Sequence, residues 1–213
     1  MSVEQPDRVR LRAAERARLI EEAATRLFAE RGYSSTSVED IATAAGVTKP
    51  MLYRHFESKQ ELCIFLLRRY RDELIAAPLG EIRTAESSPD ARSPGRVREQ
   101  LVRAIDAWLS WVESHRDATR LLLTPIRGDD DVRQVQEELF RRQRDSQLAL
   151  LREFAPRLSE GDAEPLAEIT RAAFAAVALW WLDHPEQPRA VPHRALLTMA
   201  RGIVENASRS REE

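Results

Sequence analysis

The sequence predicts an all-α protein with an N-terminal three-helix unit and a larger C-terminal helical part, about nine helices in all. Three observations carry this. Only 7 of 213 residues are glycine. Every long apolar pattern repeats at helical rather than alternating spacing. Hydroxyl and acidic residues of the kind that cap helices stand just ahead of several of these patterns.

Taken in order, Leu19, Ile20, Ala23, Ala24, Leu27 and Phe28 place a first helix over Arg12 to Arg31, and Gly32 sits where a left-handed cap belongs. Thr36 followed by Glu39 reads as a capping box for a second, short helix carrying Val38, Ile41, Ala42 and Ala45 and ended by Gly46. Thr48, with Pro50 in the first turn, opens a third helix on which Leu52 and Phe56 share a face. Ser58 and Glu61 repeat the capping box for a fourth helix, with Leu62, Phe65, Leu66, Tyr70 and Leu74, ending at Pro78 to Gly80. Residues 81 to 95 read as loop. A fifth helix carries Val97, Leu101, Ala104, Ile105, Trp108, Trp111 and Val112, and a sixth spans Ala118 to Leu123. Asp129 to Asp131 set negative charge at the start of a seventh, which runs to Phe154. The eighth begins near Pro165 and turns apolar almost all round between Ala172 and Leu182, so it needs cover on two sides. The ninth follows Pro192.

Composition removes several classes of function. One cysteine, Cys63, can form no disulfide within the chain and no CxxC pair, and it reads as a core residue of a protein from a reducing, cytoplasmic compartment. No apolar run reaches the roughly 18 to 20 residues of a membrane span, and the N-terminus lacks the apolar stretch of a secretory signal. His55, His115, His184 and His193 show no metal-ligand spacing, and no glycine-rich phosphate loop or nucleophile elbow occurs. No metal, cofactor or catalytic residue is therefore expected, and His115 reads as a dipole partner or a polar group of a pocket. A net charge of −2 does not decide for or against nucleic acid, because the placement of the cations matters more than their sum. Two of the 33 basic residues are lysine, Lys49 and Lys59, and both fall within one short segment.

That segment, residues 36 to 59, has the spacing of a helix-turn-helix, in which the second helix enters the DNA major groove. With Leu52 and Phe56 turned inward, the third helix offers Lys49, Pro50, Met51, Tyr53, Arg54 and His55 outward. Arginine and lysine suit guanine O6 and N7, and the carbons of Pro50 and Met51 suit thymine methyls. Tyr53 and His55 can donate to phosphates, Lys59 adds a cation at the start of the fourth helix, and Thr36, Ser37 and Thr48 read as caps close enough to touch phosphate. Arg8, Arg10, Arg12, Arg16 and Arg18 form either a basic arm over DNA or a solvated face, with Asp7 and Glu15 among them.

The run IATAAGVTKPMLYRHFESKQEL resembles the TetR family of bacterial transcriptional regulators, whose pattern is approximately IAxxAGVxxxxLYxHFxxKxxL. Ile41, Ala42, Ala45, Gly46, Val47, Leu52, Tyr53, His55, Phe56, Lys59 and Leu62 fall on its positions. The resemblance implies a homodimer that binds a palindromic double-stranded operator through residues 1 to 57 and is released when a small molecule binds within residues 58 to 213. Apolar groups that would line such a pocket are Phe65, Tyr70, Trp108, Trp111, Leu122, Phe140 and Phe174, a lining suited to a lipophilic ligand. The dimer interface is expected on the eighth and ninth helices, at Phe174, Val177, Trp180, Trp181, Leu196, Leu197 and Ile203, with one of the two adjacent tryptophans as anchor. The alternatives are an enzyme and a lipid-handling helical protein without a DNA role.

Overall fold

The computed structural model describes residues 6–85, 94–155 and 158–209, and among these every regular element is helical. The order is α1 (Pro6–Arg31), α2 (Val38–Ala44), α3 (Lys49–Tyr53), α4 (Lys59–Ala85), α5 (Pro94–Ser114), α6 (Arg116–Leu123), α7 (Asp130–Phe154), α8 (Glu160–Asp183) and α9 (Ala190–Arg209). The side chains of Arg8, Arg10 and Arg12, expected in a basic arm, lie outside the described residues, as do positions 86 to 93 of the expected loop. Arg18 pairs with Glu15 at 2.8 Å and with Glu22 on the exposed side of α1, which fits the solvated-face alternative at that position.

The ends of the helices follow local chemistry, though not always at the expected residue. Ser37, not Thr36, caps α2. Its extended backbone lets Oγ accept from Asp40 N at 3.1 Å while Asp40 Oδ2 accepts from Ser37 N at 2.9 Å, so the box is Ser37 with Asp40 rather than Thr36 with Glu39. Thr36 is 1% exposed and donates instead to Gly32 O at 2.9 Å, closing the turn after α1. Thr48 caps α3 through its carbonyl, which accepts from Met51 N and Leu52 N, and its hydroxyl makes no cap bond. Ser58 accepts from Glu61 N at 3.0 Å as expected, but the Glu61 carboxylate turns to Glu57 N.

Prolines stop fewer helices than the sequence suggests. α4 passes through Pro78 to Ala85, taking in the first part of the expected loop, and α8 already starts at Glu160, ahead of Pro165. Ser159 sets that start by accepting from Asp162 N at 3.2 Å. Pro192 falls in the first turn of α9, where its missing N–H would be unpaired in any case, so α9 begins at Ala190 rather than after the proline. Asp129 caps α7 by accepting from Val132 N at 3.1 Å.

One apolar core runs from α1 to α9. Ile20, Leu27 and Phe28 of α1 share a cluster with Ile41 of α2 and Leu52 of α3, and it continues through Leu62, Leu66 and Leu67 of α4 to Leu109, Trp181 and Leu196. Cys63 lies within it, and burial pushes its thiol pKa up to about 12, in keeping with a core residue. α4 packs on α5, α7 on α8, and α1 on both α2 and α6. The N-terminal unit is therefore seated on the larger domain through α4 and α6.

Candidate nucleic-acid interface and effector cavity

The turn between α2 and α3 is closed by backbone bonds from Ala45 N to Ile41 O and from Val47 N to Ala42 O, at 2.9 and 3.0 Å. Gly46 has φ +67°, a left-handed conformation that costs a residue with a Cβ about 1 kcal/mol or more. Leu52 and Phe56 are buried beneath α3, as their spacing predicts.

The opposite face of α3 is open. Lys49, Pro50, Tyr53 and Arg54 are exposed, Tyr53 by 42%, and Met51 and His55 are half-buried. The Arg54 side chain has no ion pair or hydrogen bond among the described residues. Lys49 pairs with Glu39 of α2 and lies 6.0 Å from the Tyr53 ring centroid. The hydrogen bond between Lys49 and Glu39 moves the lysine pKa up and the carboxylate pKa down.

Three expected phosphate contacts are engaged elsewhere. Lys59 Nζ donates to Tyr33 O and Thr36 O, both at 3.0 Å, and lies 4.1 Å from the Tyr33 ring centroid. It pins the turn between α1 and α2 from below, a contact between distant residues that helix spacing could not reveal. Thr36 is buried in that same turn. Ser37 is exposed, but its hydroxyl donates to Asp40 Oδ2 at 2.6 Å while accepting from Asp40 N.

The turn is also tied to the larger domain. Tyr33 OH donates to Asp129 Oδ2 at 2.8 Å, and beside it, within the larger domain, Gln60 Nε2 donates to Asp131 Oδ2 at 2.9 Å. Burial first, and then the bond to Asp129, raise the Tyr33 pKa. Partial desolvation opposes ionisation of Asp129, yet bonds from Val132 N, Tyr33 and Gln60 hold its pKa below the ordinary value. Helical spacing carries no signal for this contact, because Tyr33 and Asp129 are far apart along the chain.

In the larger domain, Trp108 and Phe174 meet edge to face at 5.0 Å and line an apolar cavity of about 110 Å³, with Pro78, Gln147, Thr170 and Ile203 around them. This is smaller than the roughly 300 to 1,000 Å³ usual for ligand sites. The other five residues expected there do not line it. Phe65 is 41% exposed and packs on Phe56, Tyr70 OH bonds Thr25 Oγ1 at 3.0 Å, and Trp111 stacks on His115. Leu122 is core, and Phe140 lies under the Arg171 guanidinium. Each belongs to a different face of its helix, which periodicity cannot rank. His115 sits at the C-terminal end of α5, with Nδ1 3.0 Å from Trp111 O. It borders not the apolar cavity but a separate open cleft of about 760 Å³ beside α1, lined largely by charged groups, among them Glu21, Arg26, Arg69 and Arg116.

On α8 the adjacent tryptophans part company. Trp181 is 4% exposed, and its Nε1 donates to Gln187 O at 3.1 Å, whereas Trp180 is 39% exposed and stacks on His184. Leu196 is also buried within its own protomer, so it and Trp181 do not offer the expected surface to a partner, while Phe174 and Ile203 are half-buried and line the cavity. Val177 and Leu197 are half-buried. The outward stripe of α8 is Ile169, Ala172, Ala176 and Trp180, at helical spacing. Ile169 and the two alanines are additions to the expected set, and for the alanines the all-round apolar run already contains the signal.

Residues 20–64 match the family model described as bacterial regulatory proteins, tetR family. Over 100 residues the chain is 34% identical to the HTH-type transcriptional activator FasR of Mycolicibacterium smegmatis, covering 47% of this chain and 42% of that protein. Over 117 residues it is 38% identical to the HTH-type transcriptional repressor KstR2 of Rhodococcus jostii, covering 53% of each. The chain thus spans about half the length of these curated relatives. A TetR-like transcriptional regulator from Rhodococcus sp. RHA1 superposes with a TM-score of 0.68 at 27% identity, over 88% of this chain and 95% of that one.

Proposed function

We propose that the chain, whose residues 20–64 match the tetR family model, is a TetR-family protein and a sequence-specific DNA-binding transcriptional regulator. The observation that carries this reading is the open face of α3, with an unpaired Arg54 beside Lys49 and Tyr53. Arg54 and Lys49 read base edges, and Tyr53, His55 and Thr48 bind phosphate. Residues 1–57 act as the DNA-binding unit and 58–213 as the effector and dimerisation domain. Repression is the reading preferred, since occupying a promoter requires only tight binding.

Two copies pair through the outward stripe of α8, with Trp180 as anchor, and α9 beside it. By length and composition α8 is apolar enough for a membrane span, although Glu168 and Arg171 interrupt its apolar run as the sequence indicates, and pairing accounts for its uncovered apolar face. A dyad would set the recognition helices about 34 to 36 Å apart on an inverted repeat in cytoplasmic DNA. A small lipophilic ligand in the cavity weakens operator binding by shifting α4, whose Pro78 lines it and whose first turn holds Lys59. α7 supplies a second route, from Gln147 at the cavity to Asp129 at Tyr33.

Selection of duplexes from a random pool, followed by footprinting, tests this reading. An enriched inverted repeat protected on one face supports it, and no enrichment at low salt contradicts it.

A further inference from the structure

The geometry points to an uncharged effector with a single polar group, selected by Gln147; this rests on the cavity being the effector site. No charged side chain contributes to the lining among the described residues. Its polar groups are the Gln147 amide, the Trp108 indole N–H and the Thr170 hydroxyl. Thr170 already donates to Leu166 O at 2.7 Å, whereas neither the Gln147 nor the Trp108 side chain has a hydrogen-bond partner among the described residues.

An ionised group placed in such a lining loses its hydration without gaining a counter-charge, which is strongly unfavourable. A neutral hydroxyl or carbonyl loses less and regains a bond from Gln147. Gln147 is half-buried, and a ligand that covers its amide without a matching group leaves it unsatisfied, which is what makes a site discriminate. Size narrows the class further. A dry cavity of about 150 Å³ takes benzene, so one of about 110 Å³ limits the enclosed part of a ligand to no more than a small ring or a short chain. Arg103, Arg152, Arg171 and Arg201 each adjoin a lining residue along the chain and none of them lines the cavity; among these, the Arg201 Nε is buried without a hydrogen-bond partner.

Benzyl alcohol, toluene and benzoate share a ring and differ at one group. Thermal shift and titration of the full chain at neutral pH should show benzyl alcohol binding, toluene binding more weakly and benzoate failing at the same concentration. Gln147→Leu should weaken benzyl alcohol about tenfold and tighten toluene, which no longer covers an amide without pairing it. A Gln147→Leu protein that binds benzyl alcohol as the wild type does would overturn the role of the amide. Benzoate binding as tightly as benzyl alcohol, and losing that affinity in Arg201→Met, would overturn the neutral class. Failure of all three probes would instead overturn the cavity as the effector site, and operator selection would still report separately on DNA binding.

Discussion

The two ends of the molecule use polar side chains in opposite ways. Around α1 to α3, Thr36, Ser37, Lys59 and Tyr33 are tied to backbone or to carboxylate, which leaves α3 held rigidly and its outer face open. Around the cavity the wall is apolar, and the Gln147 amide stands unpaired within it. A surface that must keep a fixed register on a rigid duplex gains from being overdetermined. A site that must change shape when filled gains from few directional bonds.

The largest effect expected is on the shared core. Leu52→Ala should destabilise the chain by about 2 to 5 kcal/mol in denaturant titrations, because Leu52 is fully buried in the cluster that joins α3 to α1 and α2. Next is the outward stripe of α8, where Trp180→Ala should cost about 2 kcal/mol or more of dimer affinity by sedimentation, while Trp181→Phe should alter folding stability rather than association. The two lysines separate scaffold from surface more finely. Lys59→Met should lower stability by about 1 to 3 kcal/mol by leaving Tyr33 O and Thr36 O without a donor, whereas Lys49→Met should change stability little and cost about 1 to 3 kcal/mol of the preference for the selected duplex. Ser37→Ala should cost about 1 kcal/mol as a lost cap, more than Thr48→Ala, whose hydroxyl makes no cap bond.

What is legible in the sequence is local. Helix periods, Gly32 and Gly46 at positive φ, and the inward pair Leu52 and Phe56 all depend on residues within a turn or two of one another. The cap of α2 falls one position later than the pattern suggests because Thr36 and Ser37 both suit a cap, and only the burial of Thr36 separates them. Lys59 looks like a phosphate ligand in the sequence because its carbonyl partners lie 23 and 26 positions away. Pro78 and Pro165 look like boundaries because tertiary packing, which overrides their local cost, is invisible in a pattern. The same limit hides which faces of α4 to α8 enclose the cavity.

The most direct test of DNA recognition through α3 is the ratio of affinities for the selected duplex and a scrambled one, measured for wild type and Arg54→Ala at near-physiological salt. Wild type should prefer the selected duplex by roughly 10³-fold or more, and Arg54→Ala should lose about 1 to 3 kcal/mol of that preference while binding scrambled DNA nearly as before. Equal affinity of the wild type for both duplexes, or an Arg54→Ala ratio unchanged from wild type, would contradict the assignment of α3 as the reading helix.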